Sequence, residues 1–149
     1  LEVKEKLEPE LKAYLEKYNQ GSLCLINIES RAAVENLDEL LDVPGLDGII
    51  IGPHDLSINI GLPEQYDHPD FENMVKEIIT KTRSKKLAAG IHFPAGPDRQ
   101  VKWAKTGANI VLHSSDMFLF VQKLKEDLAT IKKALGDTVN LSEGSDLAI

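Results

Sequence analysis

Residues 46–57 read LDGIIIGPHDLS, and this stretch decides the fold. The apolar run at 49–51 stops abruptly at Gly52 and Pro53, as a strand buried on both faces does. One acid, Asp55, follows in the polar segment beyond that stop. In parallel α/β folds, ligands and catalytic groups collect at the carboxyl ends of the strands. The stretch therefore predicts a buried strand that delivers an acid to a functional edge of a sheet.

A second stretch, residues 23–30, reads LCLINIES and has the same pattern. It is an apolar strand with an acid, Glu29, at its end. The two acids are 55 − 29 = 26 residues apart, which is about the length of one β–loop–α–loop–β unit. The pattern predicts that Glu29 and Asp55 follow neighbouring parallel strands.

The rest of the chain continues as alternating strands and helices, which predicts parallel strands with right-handed crossovers. Four such units fit either a small doubly wound sheet or half of a (β/α)₈ barrel, and periodicity cannot separate them. Polar groups follow every predicted strand, and a barrel gathers such groups around one mouth. The predicted strands are 23–28, 48–51, 87–91 and 109–113, and the predicted helices are 8–19, 32–41, 55–60, 69–85, 98–106 and 117–135.

The bulk composition is that of a globular protein with one sizeable core. The chain has 149 residues and a net charge of −7, which argues against a nucleic-acid partner because such proteins carry a basic surface. It has no apolar run near the ~20 residues of a membrane span and no apparent signal peptide. Its one cysteine, Cys24, cannot form an internal disulfide and is expected to be a buried thiol. These features predict a cytoplasmic protein with no membrane partner.

Glu29 and Asp55 can together bind one divalent cation. Magnesium and manganese prefer carboxylate and water oxygens, and two protein carboxylates leave positions open for a chelating 2-oxo acid. The ion would then stabilise an enolate as a Lewis acid. Gly52 lets backbone approach a ligand closely, and the amides after Pro53 can face an anion. The alternative is structural: each acid caps a helix or pairs with a lysine, worth ~0.3–1 kcal/mol, and the Gly-Pro pair is an ordinary turn.

Several short motifs follow one another in order along residues 23–135. They are NIES at 27–30, VENLD at 34–38, PGLDG at 44–48, GPHDLS at 52–57, His68-Pro69, Gly90-Ile91, Gly107-Ala108 and Ser115-Asp116. Together they resemble the HpcH/HpaI aldolase family of metal-dependent pyruvate aldolases, and their order and spacing make the resemblance specific.

The resemblance implies a (β/α)₈ barrel in which residues 1–135 are the second half and 136–149 are a tail. It implies that Glu29 and Asp55 are the metal ligands, with Co²⁺ a further candidate ion. Residues that would bind substrate are Asn27 and the segment holding the pyruvate carboxylate, which comprises Gly52, Pro53, His54 and Asp55.

Two positions depart from the family pattern. Asn27 stands where many members have glutamine, and Ser114 stands where relatives often have glycine. The substrate-binding arginine and catalytic histidine of the family lie in the first half of the barrel. No residue here matches them, so the catalytic residues stay unassigned.

The function that the resemblance implies is a carbon–carbon lyase. A pyruvate enolate would add to an aldehyde, or leave it, without a Schiff-base lysine. The family assembles as oligomers and commonly exchanges its last helix, here 117–135, which predicts a homo-oligomer. The alternative is a non-catalytic half barrel or pseudoenzyme that acts only through assembly. A flavodoxin-like binder would need a phosphate-cradling glycine loop, and the sequence has none.

His54 is expected either to contact a substrate or to be a solvated loop residue, and the loop interpretation is favoured. His92 follows a predicted strand and is expected either to line a pocket or to be a satisfied structural histidine, and the structural interpretation is favoured. His113 is expected to pack within the fold, and Trp103 to lie in the core.

Overall fold

The computed structural model describes residues 8–94 and 96–136. They form an α/β fold with one four-stranded parallel sheet in the order β1-β2-β3-β4, and the described part holds seven α-helices. No helix in that part of the chain is both long and apolar enough to cross a membrane. The elements are α1 Pro9–Asn19, β1 Leu25–Ile28, α2 Arg31–Glu35, α3 Leu37–Leu41, β2 Gly48–Ile51, α4 Pro53–Asn59, α5 Pro69–Ser84, β3 Ala88–Phe93, α6 Pro97–Thr106, β4 Ile110–His113 and α7 Asp116–Ala134.

The register of the sheet brings the carboxyl ends of the strands to one edge. Ile51 of β2 pairs with Ile28 of β1 on one side and with Ile91 of β3 on the other. Each strand neighbours the next one along the chain. The strand order therefore never reverses, whereas a doubly wound sheet has such a reversal.

Local sequence sets where the helices begin. Proline occupies the first position of α4, α5 and α6, where its fixed φ suits the helix and its missing N–H costs no hydrogen bond. Serine caps two other helices. Ser30 Oγ accepts the Ala33 N–H at 3.2 Å, and Ser115 Oγ accepts the Phe118 N–H at 3.3 Å.

The core lies on one face of the sheet. Alternate strand residues point to this face, where α5 contributes a fully buried stripe and α3, α4 and α6 add further side chains. Burying each of these large apolar groups is worth about 1.5–3 kcal/mol relative to exposing it. The central members are Ile28, Ile49, Ile51, Ile91 and Phe93 from the sheet, and Leu37, Leu41, Leu56, Phe71, Val75, Ile78, Ile79 and Trp103 from the helices.

The opposite face of the sheet is less covered. It carries Asn27 and His92, both exposed, together with Leu25 at 38% and Leu112 at 41% exposure. Across its described length, α7 buries none of its residues, although it carries large apolar side chains such as Phe120, which is 65% exposed. The less covered face of the sheet and helix α7 therefore both expose apolar side chains.

Most predicted elements are confirmed within a few residues, and the exceptions have local causes. The single helix predicted at 32–41 is wrong, because Asn36 ends α2 and precedes α3, with its Nδ2 donating to the Ala32 carbonyl at 2.8 Å. Cys24 is exposed rather than buried because it precedes β1. His113 is exposed rather than packed, whereas Trp103 is buried as predicted. The predicted tail at 136–149 lies outside the described residues except for Gly136.

Candidate active site

Glu29 stands at the carboxyl end of β1, directly before the serine that caps α2. Its side chain is half-buried, and Oε2 accepts a hydrogen bond from Nδ2 of Asn27 at 3.4 Å. The two residues are two positions apart on a strand, so their side chains share the less covered face of the sheet. Asn27 therefore helps to orient the Glu29 carboxylate.

Gly52 lies beside Glu29 at the end of β2. A hydrogen bond from the Gly52 N–H to the Ile28 carbonyl, at 3.2 Å, continues the ladder beyond the paired residues. A β carbon built on Gly52 would lie 2.9 Å from Oε2 of Glu29 and 3.0 Å from its Cβ. The Glu29 side chain thus occupies the space that any larger residue at 52 would fill.

Asp55 lies in the first turn of α4. That helix begins at Pro53, immediately after Gly52, and Pro53 itself is buried while His54 and Asp55 are exposed. The first amides of a helix have no partner within the helix. The sequence prediction that Glu29 and Asp55 follow neighbouring strands is thus confirmed by the order of the elements.

The donor set at these strand ends suits a hard divalent cation. Two carboxylates and an amide oxygen, from Glu29, Asp55 and Asn27, are the ligand types that magnesium and manganese prefer. Among residues 8–94 and 96–136, no group of three or more histidine, cysteine or acidic side chains comes together to hold a metal. An ion held by Glu29 and Asp55 would therefore have no third such side chain of the described residues as a ligand, and its other positions would be taken by water or substrate.

The start of α4 is braced by the loop that follows it. Ser57 is buried, and its Oγ donates to the His54 carbonyl at 2.7 Å and accepts the Glu64 N–H at 3.1 Å. His54 Nδ1 lies 3.1 Å from the Tyr66 hydroxyl and 3.6 Å from Oε1 of Glu64. The loop therefore holds both the backbone and the imidazole of His54.

Tyr66 is in turn fixed by an aromatic cluster. Its ring meets Phe71 and Phe93 edge-on, with centroids 5.7 Å and 5.3 Å away, and the Arg99 guanidinium lies 5.0 Å from its centroid. Burial raises the pKa of the Tyr66 hydroxyl, the neighbouring Glu64 carboxylate raises it further, and Arg99 opposes both. The hydroxyl therefore stays protonated at neutral pH and available to His54.

His92 lies inside β3 rather than after it, two residues beyond Gly90. Its neighbours Ile91 and Phe93 point into the core, so the exposed imidazole of His92 points to the face that carries Glu29. His92 Nε2 is 3.1 Å from the Ser114 carbonyl oxygen. Ser114 has a φ of 60°, a left-handed conformation that favours glycine.

Three contributors to this region were not found from the sequence. Ser57, Glu64 and Tyr66 brace His54, but they lie in or beside a polar loop whose partners no periodicity indicates. His92 did carry a signal, because its position two residues after Gly90 in a strand fixes the face on which it lies.

Comparison with known proteins identifies the family of the chain. The family model described as HpcH/HpaI aldolase/citrate lyase matches residues 4–122, most of the chain. The chain belongs to this family. The matched segment contains β1 to β4 and every residue of the candidate site described above.

Two solved structures resemble the chain in their fold. An HpcH/HpaI aldolase from Desulfitobacterium hafniense DCB-2 superposes with a TM-score of 0.72 at 25% identity, over 85% of this chain and 49% of that one. The citrate synthase SbnG superposes with a TM-score of 0.72 at 26% identity, over 87% of this chain and 52% of that one. The α/β fold is therefore shared with HpcH/HpaI proteins.

A curated relative has higher identity. The chain is 39% identical over 121 residues to 2-keto-3-deoxy-L-rhamnonate aldolase from Klebsiella pneumoniae subsp. pneumoniae, which covers 80% of this chain and 44% of the relative. The chain thus spans less than half the length of this curated HpcH/HpaI relative.

Proposed function

We propose that this chain provides the metal-binding half of a class II pyruvate aldolase, a carbon–carbon lyase. The observation that carries the proposal is the placement of the Glu29 side chain over Gly52, at the strand exit from which the helix bearing Asp55 begins. Glycine at 52 leaves room for a carboxylate there and for little else. Family membership supports the same chemistry, since the family is described as HpcH/HpaI aldolase/citrate lyase.

Each residue of the site has a role in this proposal. Glu29 and Asp55 would hold a divalent ion, Mg²⁺ or Mn²⁺ with Co²⁺ as a further candidate, which supplies Lewis-acid stabilisation of an enolate when bound. Asn27 would orient Glu29 and contact the substrate. The segment of Gly52, Pro53, His54 and Asp55 would bind the carboxylate of pyruvate through its backbone N–H groups.

The substrate class follows from the chemistry and from the relatives. A chelated 2-oxo acid and an aldehyde are the two halves of an aldol, and the Klebsiella relative is named for a 2-keto-3-deoxy sugar acid. We infer that this chain acts on a hydroxylated 2-oxo acid of the same kind, in the cytoplasm, without nucleic-acid or membrane partners.

The architecture we propose is half of a (β/α)₈ barrel, with residues 1–135 as the half that carries strands five to eight. The consecutive strand order and the less covered second face of the sheet support it. A barrel would bury that face, including Leu25 and Leu112, against four more strands. The exposed apolar side of α7 supports assembly with further copies as a homo-oligomer.

The test is deuterium exchange at C3 of pyruvate, because enolate formation precedes any reaction with an aldehyde. Wild-type protein, as the whole barrel that contains this half, should exchange the C3 protons in D₂O when Mn²⁺ is bound. Glu29→Gln and Asp55→Asn should each lose the exchange and also weaken Mn²⁺ binding measured by electron paramagnetic resonance. Glu35→Gln is the matched control, an exposed acid of α2 away from the site, and should behave as wild type.

Full exchange in both site variants would contradict the proposal. The alternative, a half barrel that acts only through assembly, predicts no exchange in the wild type even with Mn²⁺ bound. Mass spectrometry of the intact protein separates the two forms of the molecule. A species of 16.5 kDa corresponds to this chain alone, and one of about 28 kDa to a whole barrel of ~250 residues.

A further inference from the structure

A row of residues crosses the mouth of the sheet from Glu29 to His92. The pairing of Ile28 with Ile51, and of Ile51 with Ile91, places the next residues Glu29, Gly52 and His92 level with one another. Strands are ~4.8 Å apart, so the α carbons of Glu29 and His92 are ~10 Å apart with Gly52 between them. Gly52 has no side chain, and Oε2 of Glu29 lies over it, 2.9 Å from where a β carbon would be, so the Glu29 carboxylate extends toward the position of His92.

The contact with Ser114 fixes the protonation pattern of His92. A carbonyl oxygen only accepts hydrogen bonds, so the Nε2 atom that lies 3.1 Å from it must carry a proton. In the neutral imidazole, Nδ1 then carries the lone pair and acts as an acceptor. The described residues offer Nδ1 no hydrogen-bond partner, and the side chain is exposed.

We propose that His92 determines substrate specificity by accepting, at Nδ1, a hydrogen bond from a hydroxyl group of the aldehyde half of the substrate. The inference rests on the proposed aldolase function, which places pyruvate beside the Glu29 carboxylate. The aldehyde half then extends from there toward the exposed imidazole of His92 on the same face of the sheet. An aldehyde lacking the hydroxyl leaves the Nδ1 acceptor unpaired and is selected against.

The conformation of Ser114 supports a positioning arrangement rather than a chance contact. Its φ of 60° turns the backbone at the end of β4, and its N–H donates to the Phe93 carbonyl at 3.0 Å. Ser114, directly after β4, is thus tied to β3 through the Phe93 carbonyl and through the imidazole of His92. These contacts hold the imidazole near the end of β3 on the less covered face of the sheet.

Two conservative substitutions separate the two nitrogens. His92→Asn places an amide oxygen near the position of Nδ1 and keeps an acceptor there. His92→Gln places an amide N–H near the position of Nε2, which keeps the bond to Ser114 but removes the acceptor at Nδ1. The probes are glycolaldehyde and acetaldehyde, which differ by one hydroxyl, each with pyruvate.

Wild type and His92→Asn should prefer glycolaldehyde in kcat/KM, and His92→Gln should reduce that preference about tenfold. Deuterium exchange at C3 of pyruvate should be unchanged in both variants, because it needs no aldehyde. An unchanged preference in a His92→Gln variant that still exchanges deuterium overturns the role of His92 alone. Absence of exchange in the wild type refutes the proposed function and this inference with it.

A second measurement does not depend on turnover. Long-range ¹⁵N–¹H correlation spectra of the neutral imidazole should assign the proton of His92 to Nε2 and leave Nδ1 unprotonated. Saturating glycolaldehyde with pyruvate should then shift the Nδ1 resonance in the direction of an accepted hydrogen bond. A proton on Nδ1 in the free protein overturns the inference.

Discussion

The side chain of Glu29 occupies the space that a side chain at position 52 would need. A β carbon on Gly52 would come within 2.9 Å of Oε2 and 3.0 Å of Cβ of Glu29. Real β carbons do not approach other atoms at 2.9 Å, so one of the two groups must move. The Glu29 carboxylate is the freer group, because its hydrogen bond to Asn27 is long at 3.4 Å.

Gly52→Ala should therefore displace the carboxylate while the fold survives. We expect Mn²⁺ affinity and pyruvate deuterium exchange to fall by roughly tenfold or more, as removal of groups that orient metal ligands does. The free energy of unfolding should fall by about 1–3 kcal/mol, as it does for a local overpacking. Mn²⁺ titration and urea denaturation measure the two effects.

The control is a double-mutant cycle with Glu29→Ala. If the glycine acts through the carboxylate, adding Gly52→Ala to Glu29→Ala lowers Mn²⁺ affinity no further. Additive losses in the double variant would mean that Gly52 serves the site in some other way.

A matched pair of isoleucines tests where the core lies. Ile78 of α5 is fully buried, whereas Ile58 of α4 is 50% exposed. Removal of one methyl group from a packed site loses its transfer free energy and leaves a cavity, so Ile78→Val should destabilise the fold by about 0.5–1.5 kcal/mol. Ile58→Val should stay within about 0.5 kcal/mol of wild type. Equal effects in urea denaturation would contradict the proposed location of the core.

Gln100 lies in the first half of α6, and its side-chain amide links β3 to β4. It is 6% exposed, and its Nε2 donates to the carbonyl oxygens of Ile91 in β3 and Leu112 in β4. Gln100→Met keeps the volume and removes both donors, which should cost about 1–3 kcal/mol because the carbonyls lose a partner in a buried place. Gln122→Met, an exposed glutamine of α7 bonded to Glu126, is the control and should change stability little. Equal losses of stability in the two variants would mean that Gln100→Met acts through helix propensity and not through the two lost hydrogen bonds.

The sequence predicted the sheet well because its strands are short apolar runs with clear ends. The run at 49–51, closed by Gly52 and Pro53, is β2 almost to the residue. Proline at 69 likewise marks the start of α5, since proline suits the first turn of a helix and no later position. The apolar run and the two prolines were therefore sufficient to locate the ends of these elements.

Burial at the ends of strands could not be predicted in the same way. Cys24 precedes β1, the first strand at the sheet edge, and His113 ends β4 at the other edge, so neither is covered by a neighbour within residues 8–94 and 96–136. The bracing of His54 was also hidden, because Tyr66 lies twelve residues further along the chain, beyond the end of α4. Such contacts depend on tertiary structure and leave no periodic pattern in the sequence.

The Tyr66 hydroxyl should report the environment behind the candidate site through its pKa. Burial and the Glu64 carboxylate raise this pKa above its usual 10, and Arg99 lowers it. Glu64→Gln should therefore bring the pKa closer to 10, and Arg99→Gln should raise it further. The difference in absorbance at ~295 nm between each protein and its Tyr66→Phe counterpart isolates the titration of this one residue.

The same shift links the stability of the fold to alkaline pH. The folded-state pKa lies above that of the unfolded chain, so the unfolded state loses the phenolic proton first as pH rises. The contribution of Tyr66 is thus fully present below about pH 10 and is lost as pH rises through the folded-state pKa. The free energy of unfolding of wild type should fall more steeply than that of Tyr66→Phe in this range. Parallel pH profiles for the two proteins would contradict the raised pKa of Tyr66 and the partial burial of its hydroxyl.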